Sequence, residues 1–181
     1  MDYFLITQDQ LYSDAPRMAD LNQKLKIYPF YNNDPHLMAP RTLIQISADE
    51  HVDFIDYLFQ SVPLISERVM GVVRNFEDDF IHKQVILADL KNGHDRMYYI
   101  PFFQRFSDEV ILSPDSPNVI ERGKPDIDIK LKIPYVIPVF FVFWKEKCYL
   151  FMRLDVVESL LRNGCRGFTM REAEIIFRRD N

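Results

Sequence analysis

Hydrophobic and polar positions along this chain of 181 residues repeat one local arrangement twice: a capping residue, an amphipathic helix, and then an apolar strand. The first copy predicts a helix over residues 66–76, introduced by Ser66, and a strand over 80–87. The second predicts a helix over 155–164 and a strand over 167–170. Neither copy holds a reactive side chain at a fixed place, so both are typical of core and surface rather than of a reaction centre.

A third helix is predicted N-terminal to these two copies. Ser47 followed by Glu50 forms a capping box, and the apolar spacing after it predicts a helix over residues 48–60 that ends before Pro63. Its buried face would be formed by Val52, Ile55 and Phe59.

Several segments have the pattern of strands. Asn92-Gly93 between two apolar runs predicts an antiparallel hairpin, because both residues tolerate positive φ. Residues 127–133 alternate apolar and polar, and residues 135–144 are apolar throughout. Together these patterns predict a single α+β domain spanning residues 1–181, with a mostly antiparallel sheet and helices packed against it.

Charge restricts the class of partner. The net charge of −5 and the pI near 5.4 argue against nucleic acid, because binding phosphates requires clustered Lys and Arg. A basic protein is the better partner on this ground.

The cysteine content and the apolar runs indicate a cytoplasmic protein. Cys148 and Cys165 are too few for a disulfide framework, so we expect two reduced thiols. The N-terminal residues lack the pattern of a secretion signal, and the apolar run over residues 135–144 is too short for a membrane helix.

Motifs that carry chemistry are scarce. His36, His51, His82 and His94 are scattered without metal-ligand spacing, and the glycines form no phosphate-binding loop. We therefore expect no catalytic residue, no cofactor and no metal site.

One pattern supports an enzymatic alternative. Asp115, Asp128 and Lys130 resemble the two carboxylates and lysine of metal-dependent nucleases and hydrolases, in which the carboxylates hold Mg²⁺. Their spacing is loose, and Asp128 and Lys130 are equally explained as the wet face of an amphipathic strand.

Acidic residues supply the candidate contact surface. On the predicted 48–60 helix, carboxylates spaced four and three apart would line one ridge, and an acidic turn follows the 66–76 helix. A solvated helix face explains the ridge equally well, whereas a contact role would use the carboxylates to steer a basic partner. The candidate partner-binding residues are Asp49, Asp53, Asp56, Glu77, Asp78 and Asp79.

Aromatic residues after the hairpin turn raise a similar question. Alternate residues of a strand point to opposite faces, so one Tyr and one Phe of Tyr98, Tyr99, Phe102 and Phe103 are expected to point away from the core. Core packing and a partner interface are both open for this group.

Five segments resemble a family of bacterial immunity proteins from polymorphic toxin systems: Leu64–Val69, Tyr98–Tyr99, Phe140–Trp144, Leu154–Asp155 and Gly164–Phe168. That family has a helix introduced by a "lvSe" segment and a C-terminal "G-x-x-G-[VF]" ending, and the likeness covers about residues 64–170. The resemblance implies an intracellular protein that binds and neutralises a cognate toxin without catalysis. It supplies no contact residues.

Overall fold

The computed structural model describes residues 1–18, 21–47, 52–107, 129–144 and 147–177. In chain order the strands are β1 (Tyr3–Gln8), β2 (Arg17–Met18), β3 (Arg41–Ser47), β4 (Tyr57–Phe59), β5 (Pro63–Ser66), β6 (Ile81–Asp89), β7 (His94–Phe102), β8 (Gln104–Phe106), β9 (Ile129–Ile133), β10 (Val139–Trp144), β11 (Lys147–Arg153) and β12 (Phe168–Phe177). The helices are α1 (Leu21–Leu25), α2 (Tyr28–Tyr31), α3 (Glu67–Val73) and α4 (Leu154–Arg162), with a 3-10 turn at Pro35–Leu37.

These elements fall into two compact units. The first comprises Met1–Thr7, Phe103–Ser159 and Met170–Asn181, and the second comprises Gln8–Phe102 and Leu160–Thr169. Each unit is built mainly on one six-stranded sheet.

The sheet of the first unit has the strand order β8-β10-β11-β1-β12-β9. Its neighbours include antiparallel pairs (β10 with β11, β11 with β1) and parallel pairs (β8 with β10, β9 with β12). Phe106 from one edge strand and Leu131 from the other belong to the same apolar cluster, which also holds Tyr3, Phe140 and Phe151. The sheet therefore curls around its own core.

The sheet of the second unit has the order β2-β3-β6-β7-β5-β4. The pair β3 with β6 is parallel, whereas β6 with β7, β7 with β5, and β5 with β4 are antiparallel. Alternate residues of β6 and β7 are buried on the core side, among them Val85, Leu87, Tyr98 and Ile100.

The prediction of an α+β fold with packed helices is wrong. The described chain is mostly β, with two sheets of six strands, while its helices have five, four, seven and nine residues. The strands form two sheets rather than one, and among the strand pairs whose register is described six are antiparallel and three are parallel. The physical reason is that apolar side chains of the strands fill most of the core. Short helices are then enough to cover the apolar sheet surface that the strands leave open.

The helix predicted over residues 48–60 is a second correction. Residues 48–51 lie outside the described residues, residues 52–56 are irregular, and Tyr57–Phe59 forms strand β4. Tyr and Phe favour strands, and β4 pairs with β5 over Tyr57 to Phe59, so tertiary pairing outweighs the local capping signal. The ridge of carboxylates that such a helix would carry is therefore absent from residues 52–60.

Other local predictions are confirmed. Ser66 caps α3 by accepting a hydrogen bond from the Val69 amide at 3.3 Å. The Asn92-Gly93 turn joins β6 and β7 in antiparallel register, and Gly93 has φ of 71°. Gly164, with φ of 68°, follows α4 in the left-handed conformation expected after a helix.

Candidate functional site: an acidic turn beside an aromatic row

The acidic turn, defined as Glu77, Asp78 and Asp79, follows α3 in the second unit. Asp78 and Asp79 are exposed and Glu77 is partly exposed. The backbone places the turn directly after the helix end, where the Glu77 amide donates to the Val73 carbonyl at 3.0 Å. The turn therefore presents negative charge to solvent immediately before β6 begins.

An aromatic row lies beside this turn. The rings of Phe80 and His82 are 6.2 Å apart, and those of His82 and Tyr99 are 5.4 Å apart, both edge to face. Residues 80 and 82 are two apart and share a face, while the β6–β7 register pairs Gln84 with Tyr99 and so sets Tyr99 diagonal to His82. All three rings are partly exposed, which makes the row an aromatic surface rather than core.

Arg74, at the C-terminal end of α3, lies beside His82 and affects its protonation. Its Nη2 lies 3.4 Å from His82 Nε2, and since a guanidinium can only donate, Nε2 accepts from it. Partial burial, followed by the charge of Arg74, lowers the pKa of His82 below its ordinary 6.5. The imidazole is therefore mostly neutral at pH 7, and the charges beside the row are those of the three carboxylates of the acidic turn and of the Arg74 guanidinium.

Asp56 does not belong to this surface. It is 7% exposed, and its carboxylate accepts hydrogen bonds from the Ser66 hydroxyl at 2.6 Å and the Arg166 amide at 2.8 Å. Arg68 Nη1 lies 3.7 Å from the same carboxylate. The group acts as a buried connection between the segment before β4, the start of α3 and the turn after α4.

Asp53 is also engaged within the second unit. Its Oδ1 accepts a 2.6 Å hydrogen bond from Arg166 Nη2, and its side chain is partly buried. Asp49, the remaining residue of the predicted ridge, lies outside the described residues. A role for these residues in partner binding stays a prediction.

Buried titratable groups surround Asp56. The Tyr98 hydroxyl donates to the Ile55 carbonyl at 2.6 Å, and burial raises the pKa of Tyr98 far above 10. Burial, and secondly the charge of Asp56, raises the pKa of the Cys165 thiol to about 11. A thiol with that pKa is protonated at neutral pH and is a poor nucleophile. Cys148 is likewise buried and free, and burial raises its pKa too.

Of the three residues of the nuclease alternative, Lys130 lies within the described residues. Asp115 and Asp128 lie outside the described residues, and Lys130 forms a 2.9 Å ion pair with Glu174. Within the described ranges, no group of three His, Cys, Asp or Glu side chains could hold a metal ion. The alternative stays a prediction.

The four aromatic residues after the hairpin turn were expected to expose one Tyr and one Phe, and the structure differs from this expectation. Tyr98, Phe102 and Phe103 are buried, and Tyr99 alone of the four is partly exposed. Phe80 and His82 are not among the site residues predicted from the sequence. Their spacing of two, together with the hairpin register that brings Tyr99 beside them, was the available signal.

No protein-family model matches this sequence, and no curated protein matches it either. Among the described residues, no helix has both the length and the apolar character needed to cross a membrane.

Proposed function

We propose that this chain is a cytoplasmic immunity protein that binds a cognate, basic toxin domain and neutralises it by occlusion, without catalysis. The observation that carries the proposal is the acidic turn lying beside the aromatic row on one exposed surface. Protein interfaces combine these two ingredients, since aromatic side chains supply contact area and charges supply orientation.

The acidic turn and the aromatic row, together called the patch, have separate tasks in this proposal. Tyr99 and Phe80 insert into the toxin surface and slow dissociation, as rigid aromatic anchors do at the centre of interfaces. Asp78 and Asp79 attract the basic rim of the toxin cleft and accelerate association, an effect that salt weakens. The net charge of −5 acts in the same direction.

Two further features support this reading. The likeness of residues 64–170 to immunity proteins of polymorphic toxin systems includes the cap of α3 and the strand that carries Tyr99. The two buried free thiols fit a reducing compartment, which is where a toxin would be met after entry or synthesis.

The test begins with the protein encoded immediately upstream of this gene. Expressed alone, its C-terminal domain should arrest growth, and co-expression with this chain should restore growth and yield a stoichiometric complex. Asp78→Lys combined with Asp79→Lys should slow association and flatten its dependence on ionic strength. Tyr99→Ala should raise Kd at least about tenfold through faster dissociation.

The matched control is Asp2→Lys combined with Glu172→Lys, which changes the net charge equally at exposed sites outside the patch. It should retain most of the association rate, and all variants should keep the wild-type melting temperature. If both double variants lose the same fraction of the association rate, the effect comes from net charge alone. That result would contradict the assignment of the acidic turn to the contact surface. A neighbour that is harmless, or that this chain does not bind, would contradict the function itself.

A further inference from the structure

Over most of its length, strand β3 pairs with another described strand on one side only. It pairs with β6 from Arg41 to Gln45, whereas β2, as far as it is described, pairs with β3 only at Ile46 and Ser47. The segment from Arg41 to Gln45 is thus an edge among the described residues, and the sequence places no proline, glycine or lysine in it to discourage pairing.

The hydrogen-bond pattern identifies which groups this edge presents. The Gln84 amide donates to the Pro40 carbonyl at 3.0 Å, and successive residues of a strand alternate in direction. Thr42 and Ile44 therefore direct their backbone groups toward β6. Arg41, Leu43 and Gln45 direct theirs away from it, and these three residues have exposed side chains.

An apolar row leads up to the same edge. Leu43 pairs with Ile86, and Ile86 pairs with Met97, so the three side chains lie side by side on the outer face of the sheet. Leu43 is 50% exposed, and Ile86 and Met97 are partly exposed. The row is open where it reaches the edge.

A second copy of β3 fits this edge in antiparallel orientation. With the two-fold axis at Leu43, each Leu43 faces its counterpart and each Arg41 faces Gln45 of the other copy, so that no like charges are opposed. Because β3 begins at Arg41, the added strand ends opposite Gln45, one residue before the position where β2 pairs. All three outward-facing residues then lie in hydrogen-bonded positions.

We infer that the chain forms a homodimer by antiparallel pairing of β3 with β3 of a second copy, centred on Leu43. The pairing joins the rows of Leu43, Ile86 and Met97 from both copies into one apolar stripe. It removes the exposed edge and buries Leu43 in the same step.

The first experiment is sedimentation equilibrium of the full chain over a wide range of concentration. The wild type should show a reversible monomer–dimer equilibrium. Leu43→Lys, which sets two ammonium groups opposite each other, should raise the dimer dissociation constant at least about tenfold. Leu161→Lys is the matched control, since Leu161 is 49% exposed and lies in α4, outside the sheet that contains β3, and it should leave the equilibrium unchanged.

A covalent test stays decisive even where Leu43→Lys fails to fold. In the proposed pair the Cα atoms of the two residues 43 are about 5.5 Å apart, a separation that a disulfide can span. Under mild oxidation Leu43→Cys should form a disulfide-linked dimer, with two thiols losing their protons and two electrons passing to the added oxidant. Leu161→Cys should not do so at the same rate. A wild type that stays monomeric throughout, a Leu43→Lys variant that dimerises normally, or equal cross-linking of both cysteine variants would overturn the inference.

Discussion

Asp56 joins separate segments of the second unit through one buried carboxylate, which accepts hydrogen bonds from the Ser66 hydroxyl and the Arg166 amide. Its distances from Asp49 and Asp53 along the chain indicate an exposed ridge, yet it is buried and bonded to Ser66 and Arg166. Residue 166 is 110 positions away, and no local pattern reports such a partner. The burial of Asp56 therefore depends on a long-range contact that its neighbours in the sequence do not indicate.

Replacing Asp56 by alanine removes the acceptor for two donors. Asp56→Ala should lower the free energy of unfolding by about 2–4 kcal/mol, because the Ser66 hydroxyl and Arg166 amide lose a charged partner in a buried place. Urea denaturation followed by circular dichroism measures this. Asp78→Ala, at an exposed site, should change the value by no more than about 0.5 kcal/mol. Similar small effects for both variants would contradict the structural role of Asp56.

Two glycines of the second unit offer a matched comparison. Gly167 has φ of 85°, and a Cβ there would overlap the Cβ atom of Ile55. Gly167→Ala should therefore cost at least about 2 kcal/mol of stability, from backbone strain and overpacking together. Gly71, inside α3, has no atom within 4 Å of an added Cβ, so Gly71→Ala should stabilise the protein by about 0.5–1 kcal/mol. Thermal melting of both variants checks the opposite signs.

At the scale of elements, predictions succeeded where the determinants are local. The cap at Ser66 and the Asn92-Gly93 turn act within a few residues, and both elements form as expected. The helix over residues 48–60 failed because Tyr57–Phe59 gains more from pairing with β5 than from continuing a helical turn. Strand pairing is non-local, so a capping box alone overstates the helix.

At the turn of the β6–β7 hairpin, the titratable Asp89 carboxylate accepts three hydrogen bonds, and this cluster is called the latch. Asp89 Oδ2 accepts from the Asn92 side chain at 2.7 Å, and Oδ1 accepts from the Lys91 and Asn92 amides. The Asn92 side-chain bond, aided by these amides, lowers the pKa of Asp89 below its ordinary 3.8. Since the folded pKa is the lower one, the latch stabilises the fold above the unfolded pKa and is lost as pH falls through the folded value.

Stability measured from pH 7 down into the acid range tests this latch. Asp89→Asn should flatten the decline of stability below about pH 4, because one group with a lowered pKa has been removed. Asn92→Ala should flatten it too, since the largest cause of the shift is gone. If stability falls with pH in both variants as steeply as in the wild type, the latch does not contribute to the pH dependence of stability.

At the scale of the whole molecule, the sequence pattern does not predict which strands lie next to each other. β1 pairs with β11, for example Tyr3 with Arg153, and β3 pairs in parallel with β6, although many residues separate each pair. Alternating apolar positions identify strands, but they do not say which strand is the neighbour. The partition into two sheets, and hence the β-rich class, follows from those neighbours.

Cooperative unfolding tests the expectation of a single domain. β1, α4 and β12 each continue from one compact unit into the other, at Thr7–Gln8, Ser159–Leu160 and Thr169–Met170. Melting one unit would interrupt three regular elements, so we expect one transition for the whole chain. Trp144, the single tryptophan, reports on the first unit by fluorescence, while circular dichroism reports on both.

The two signals should coincide in urea for the wild type. They should still coincide in Gly167→Ala, although that substitution lies in the second unit, and both midpoints should fall by the same amount. A Trp144 transition that stays at the wild-type midpoint while circular dichroism shifts would show two independently folding domains. Gly71→Ala provides the opposite perturbation in the same unit, and it should raise both midpoints together.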